Sequence, residues 1–225
     1  RSGPFPQEKI MRKTVAGVAA ASALALVATG VGPAAAADMG TKSLAEVLTA
    51  DDGGFDKNNK DFDIVTAAVL AVLEAKPESA VGVLADGTVA LTAFVPNDKA
   101  FKILARQVTG KKIKTEKKAF KEISALGVDT VETVLLYHVV PGATIDSSGA
   151  LKANGVKLQT ALGETTKVQV RGQKKNKFIK LSDKDYNSRN ARVNAPDVNK
   201  GNMQIAHGVD RVLRPLDLPP VLDHG

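Results

Sequence analysis

The apolar positions of this chain change period part-way along it, and that change predicts the fold class. In the first half they recur at helical spacing. Ile64, Ala67, Ala68, Ala71 and Val72 predict a helix through about Glu74, closed by Pro77. Phe101, Leu104 and Val108 predict a second helix, capped by Asn97 or Asp98. Val131, Val134, Leu135 and His138 predict a third, capped by Asp129 or Thr130. Shorter helices are predicted at 43–48, where Ser43 and Glu46 can form a capping box, and at 120–126. In the second half the pattern shifts to short strand-like runs at 158–162, 167–171, 178–181, 191–194 and 204–214, with Gly155, Gly163 and Gly172 between them. Helices first and strands afterwards predict α+β rather than alternating α/β.

Between the halves, Leu91, Ala93 and Val95 alternate with Thr92 and Phe94 as a strand apolar on both faces. Pro96 lacks a donor and stops the ladder, and the following cap turns the strand straight into a helix. Upstream, 81–84 and 89–91 read as strands of a hairpin about Asp86-Gly87. Downstream, Val139-Val140 reads as a short strand that Pro141-Gly142 turns.

Three stretches resemble the fasciclin (FAS1) domain family. Thr92, Phe94, Pro96, Asn97, Asp98, Ala100 and Phe101 fit its first signature, T-x-F-x-P-[TN]-[DN]-x-A-F. The segment 135–142 is similar to the family's central Tyr-His segment, and 207–215 to its closing H-x-[IV]-D-x-V-L-x-P. They stand in the family's order, and the resemblance runs over about 62–215. It implies the FAS1 fold, a wedge of two β-sheets with helices packed along it, and an extracellular, non-catalytic binding or adhesion role. In animal members the Tyr-His segment is implicated in integrin binding, so the resemblance makes Tyr137 and His138 candidate binding residues. Thr92, Phe94, Pro96, Asp98, Phe101, His207 and Asp210 are then motif residues that hold the fold, with Asp210 expected to accept a hydrogen bond from the 92–98 corner. The family's Asn-Gly pair before the last motif is replaced by Met203-Gln204, and Gly201-Asn202 is available for the turn.

The N-terminal sequence adds a compartment. Met11-Arg12-Lys13, an uncharged run rich in Ala, Val and Leu over 14–32, and Ala35-Ala36-Ala37 read as a signal peptide over 11–37, or as an anchor if it stays uncleaved. Residues 1–10 read as an upstream extension, 38–61 as an N-terminal extension, 62–215 as one domain, and 216–225, with Pro219 and Pro220, as a tail. The expected location is extracellular, in solution or on the cell wall of a bacterial source. The chain has no cysteine, which excludes disulfides, thiol catalysis and cysteine metal sites.

Arg1, Lys9, Arg12 and Lys13 against Glu8 lie within 1–37, so the formal charge of +7 falls to +4 beyond them. The excess is clustered in Lys111, Lys112, Lys114, Lys117 and Lys118, and in Arg171, Lys174, Lys175 and Lys177. Such clusters are either solvated loop faces or an attraction to an anionic polymer or surface. Lys111, Lys112 and Lys114 therefore join the candidate binding residues. No aromatic residues interleave them for base stacking, which argues against nucleic acid.

Candidate chemistry is sparse. His138, His207 and His224 show no zinc-ligand spacing. There is no G-x-S-x-G elbow and no phosphate-binding glycine loop, and Ser147 and Ser148 sit in a turn-like run. Asp183 and Asp185 alternate in a lysine-rich loop and read as solvated. Asp56, Asn58 and Asp61 offer oxygens, but Lys60, Asp61 and Ala67 stand where an EF-hand needs a ligand, a glycine and a glutamate. The expectation is a polar loop, no metal, no cofactor and no enzyme. The sequence thus predicts a secreted adhesion module for cell-envelope polymers or a surface protein. The alternative is a carrier of a small lipid or sugar between sheets and helices.

Overall fold

The computed structural model describes residues 39–51 and 54–216; the expected signal peptide and the tail beyond Leu216 lie outside them. Helix α1 (Leu44–Leu48) opens on the expected capping box: Ser43 Oγ accepts the Glu46 N–H at 3.1 Å, and Glu46 Oε2 accepts the Ser43 N–H at 2.8 Å. Helix α2 (Asp63–Ala75) buries Ile64, Val65, Ala68, Val69 and Val72, the stripe its spacing predicts.

The hairpin expected at 81–91 does not form. Residues Ala80–Ala85 make a 3-10 helix, capped by Ser79, with Val81 and Leu84 buried one turn apart. Gly87 is needed for a close approach rather than a hairpin turn, because a Cβ there would stand 1.7 Å from the Thr41 carbonyl oxygen.

Strand β1 (Leu91–Pro96) runs into α3 (Asp98–Thr109), whose cap is Asn97: its Oδ1 accepts the Ala100 N–H at 3.0 Å. Gly110, at φ 67°, ends α3 in the left-handed region. Helix α4 (Glu116–Ser124) begins earlier than its apolar residues suggest, because Thr115 caps it. Helix α5 (Val128–Tyr137) follows Gly127 with no side-chain cap, so neither Asp129 nor Thr130 plays the part expected of it. Strand β2 (Val139–Pro141) and the one-turn helix α6 (Ser147–Ala150), capped by Asp146, complete the first half. The second half is β3 (Lys157–Gln159), β4 (Thr165–Arg171), β5 (Phe178–Ser182), β6 (Ala191–Val198) and β7 (Gln204–Val209). Gly201, at φ 91°, turns β6 into β7 in place of the family's pair.

The strands hydrogen-bond in the order β2-β1-β7-β6-β5-β4-β3, with β1 and β7 parallel and the other pairs antiparallel. Between β5 and β6 only Lys180–Arg192 and Leu181–Ala191 pair, a seam between a four-stranded and a three-stranded part. The seven strands thus form one mixed sheet, narrowed at that seam. Leu91, Ala93 and Val95 of β1 enter one core with α1 to α5. Phe94, from the opposite face of β1, enters a second core with Val168, Ile179, Leu181 and Ala191 of the other strands. The fold is α+β, as its sequence predicts.

Gly87→Ala is expected to cost about 1–3 kcal/mol, the usual penalty for forcing atoms into a filled site. A urea denaturation midpoint equal to that of the wild type would show that the 41–43 segment yields freely.

Candidate functional site

The three signature stretches meet on the second-core side of β1 and β7. Thr92 Oγ1 donates to Ala143 O at 2.7 Å and accepts the Ile145 N–H at 2.8 Å, tying β1 to the approach to α6. Phe94 stacks on His207, with ring centroids 5.8 Å apart. Pro96 ends the strand, and Phe101 packs on the helix side. Asp98 reaches back to α2, its two carboxylate oxygens accepting the Asp63 and Ile64 N–H groups at 3.3 and 2.8 Å.

Tyr137 and His138 are buried. The Tyr137 hydroxyl donates to Thr165 O at 3.0 Å. His138 Nδ1 donates to Val134 O at 2.7 Å, and its Nε2 accepts the Leu213 N–H at 2.8 Å. Since Nε2 faces a backbone donor, the proton must sit on Nδ1. His207 takes the opposite tautomer. Its Nε2 donates to Ile145 O at 2.8 Å, and its Nδ1 accepts the Asp197 N–H at 3.2 Å. Burial pushes His138 down to about 4 and lowers His207 as well. With both nitrogens of each ring engaged, neither is left to act as a base or a metal ligand. In this conformation Tyr137 and His138 offer a partner no surface, which corrects their place among the candidate binding residues: they are joints of the core.

Two further expectations are corrected. Asp210 does not bond the 92–98 corner; its Oδ1 accepts the Arg192 N–H at 2.7 Å, so it fastens β6 to the segment after β7. The corner is held instead by backbone, Asn97 N–H to Val209 O at 3.1 Å. Asp185 is not solvated but buried, in an ion pair with Arg214. Asp183 Oδ2 accepts the Arg214 N–H at 2.8 Å, and burial raises Asp183 to about 6.

The surface carries what the core does not. Lys111, Lys112, Lys114, Lys117 and Lys118 are all exposed at the α3–α4 connection and the start of α4, and none takes part in an ion pair among the described residues. Arg171, Lys174, Lys175 and Lys177 are exposed around the β4–β5 turn. Sequence reading missed a third feature, a polar cleft of about 580 Å³ whose lining includes Lys60, Lys99, Arg189, Asp210 and Arg211. Its signal lay in Lys99 and Arg211, basic residues at variable positions inside two of the signatures, but only folding brings 60, 99, 189 and 211 together. Two small pockets beside the core, lined mostly by apolar side chains, hold about 20 Å³ each, room for roughly one water apiece. A shallow apolar groove of about 360 Å³ runs past Val108, Leu126, Val134 and Leu216.

The family model described as "Fasciclin domain" matches residues 66–215. Among solved structures, the chain is similar to a FAS1 domain pair from the insect cell adhesion molecule fasciclin I, at 15% identity and a TM-score of 0.42. That similarity covers 68% of this chain and 43% of the other, so the chain spans less than half of the pair. No curated protein matches the chain.

The His138 ring should stay neutral down to about pH 4, with Nδ1 protonated, in a nitrogen-15 NMR titration. In the unfolded chain the ring takes its proton near 6.5, so its contribution to stability is complete above that pH and declines as pH falls, reaching a loss of about 3 kcal/mol near pH 4. Asp183 and Asp98, both raised by burial, pull the other way, so the ring itself must be followed. Titration between pH 6 and 7 would contradict the buried geometry.

Proposed function

Because the chain belongs to the fasciclin domain family, we propose that it is a secreted, non-catalytic module that adheres to anionic polymers of a cell envelope. The observation that carries this reading is the lysine group at 111–118, exposed and without carboxylate partners among the described residues. A folded surface ordinarily interleaves charges of both signs. Five unpaired ammonium groups within eight residues create a local positive potential that a polyanion can neutralise with release of its counterions. The exposed basic group at the β4–β5 turn and the basic lining of the polar cleft add charge of the same sign.

The filled interior argues against the carrier alternative. A small lipid or sugar held between sheets and helices needs a cavity of several hundred cubic ångströms; among the described residues the pockets beside the core are far smaller, and the apolar groove of about 360 Å³ lies between α3, α5 and the 212–216 segment rather than between sheets and helices. The engaged histidines support the non-catalytic reading, since general-base work requires a ring nitrogen free to take a proton. No helix among the described residues is long and apolar enough to cross a membrane.

The test is retention on purified cell wall across a salt series. Retention at low salt should fall as the Debye length shrinks from about 10 Å at 0.1 M to about 3 Å at 1 M. Replacing Lys111, Lys112, Lys114, Lys117 and Lys118 by Gln should abolish most of it while leaving the denaturation midpoint unchanged, because these side chains make no contact the fold depends on. Retention that survives both high salt and the five replacements would overturn the electrostatic reading.

A further inference from the structure

Helices α2, α3 and α4 begin at one place, and each begins with an acid. Asp63, Asp98 and Glu116 are their first residues, and one carboxylate oxygen from each lies within 4.8 Å of the others. The loop before α2 adds to this set. Asp56 and Asp61 each bring an oxygen within the same distance of Glu116 and of one another.

The neutralising groups do not match this charge. Among the described residues one ammonium reaches the cluster, that of Lys102, which lies 2.8 Å from Glu116 Oε1 and 2.7 Å from Asn59 Oδ1. Backbone donors serve Asp98, as above, and Glu116, whose Oε2 accepts the Asp56 N–H at 2.6 Å. Three helix N-termini contribute roughly half a positive charge each, which offsets part of the remainder. Two oxygens are left over. Asp63 Oδ2 and Asp61 Oδ1 are buried and have no hydrogen-bond partner, and Asp63 as a residue is only 9% exposed. A buried carboxylate oxygen with nothing to accept from costs free energy that a fold does not ordinarily leave uncompensated.

We propose that this junction binds one divalent cation of the calcium class, through Asp63, Asp98 and Glu116 with Asp61 and Asp56 at its edge. Two oxygens bound to one Ca²⁺ at about 2.4 Å can stand no more than about 4.8 Å apart; Asp63, Asp98 and Glu116 already satisfy that limit as one set, and Asp56, Asp61 and Glu116 as a second that shares Glu116. The donors are all oxygens, with no histidine or thiol among them, so the ion is a hard one. Calcium accepts the irregular geometry of carboxylates drawn from three helix starts and a loop, whereas magnesium demands a near-octahedral set and keeps its waters. The loop fails as an EF-hand by its own sequence; Asp98 and Glu116, distant in the chain, supply what it lacks. The bound ion would clamp the loop before α2 to the starts of three helices. This inference does not draw on the adhesion reading.

Calorimetric titration of the calcium-stripped chain with CaCl₂ should give one site, with a Kd within about 10⁻⁴–10⁻³ M or tighter. At about 5 mM Ca²⁺ the melting temperature should rise by roughly 3–8 °C over the value in chelator, and by less with Mg²⁺. The double change Asp61→Asn and Asp63→Asn keeps the Asp98 caps and the Lys102–Glu116 pair. It should remove both the heat and the shift while melting at or above the wild type in chelator, because repulsion is relieved. Should the double variant fail to fold, Asp61→Asn alone must still weaken binding at least tenfold. Absence of heat and of any shift at that concentration in the wild type would overturn the proposal. So would a folded variant that binds calcium as the wild type does.

Discussion

Strands β1 and β7 are buried along their whole length, and every polar group they carry must find its partner inside the protein. Most of the internal architecture answers that requirement. On the helix face Gln204 accepts from the Leu44 N–H and donates to the carbonyls of Val83 and Asp86, so one side chain gathers α1 and the 3-10 segment onto β7. On the opposite face Thr92 and His207 converge on the segment around Ile145, and His138 reaches across to Leu213. A buried amide or imidazole left unpartnered would cost about as much as a cavity in the core. These residues therefore specify which loops lie where.

The same requirement separates charge in this molecule. Carboxylates gather inside, at the starts of α2, α3 and α4, where helix dipoles favour them. Lysines of the α3–α4 connection, sequence neighbours of Glu116, stay outside in water. A stretch of a few residues thus serves both an anionic interior junction and a cationic surface. Arg214 is the counter-example, a cation drawn inside, and it is matched by Asp185 and by Gln107.

Much of the fold was legible along the chain because its signals are local. The Ser43–Glu46 capping box, the α2 stripe, the strand that stops at Pro96 and the five later strands each need only neighbours within a few residues. The 81–91 segment misled for the same reason. Asp86-Gly87 is a local hairpin signal, but the glycine is required by a backbone some 45 residues upstream, which no local pattern records. Asp129 and Thr130 were plausible caps by composition, yet the helix starts at Val128, where a partly buried apolar side chain packs against the core.

By itself, the sequence determined the class of fold, most of the order of its elements and the family, since these depend on periodicity and on short motifs. Tertiary structure alone decided what the polar residues do. It turned Tyr137 and His138 from a candidate contact surface into core joints, moved Asp210 from the corner to β6, and buried Asp185 beside Arg214. It also brought Asp98 and Glu116 to the loop that holds Asp61. The reason is physical: an apolar side chain needs only an apolar environment, which spacing predicts. A polar one needs a particular partner, and that partner can lie anywhere in the chain.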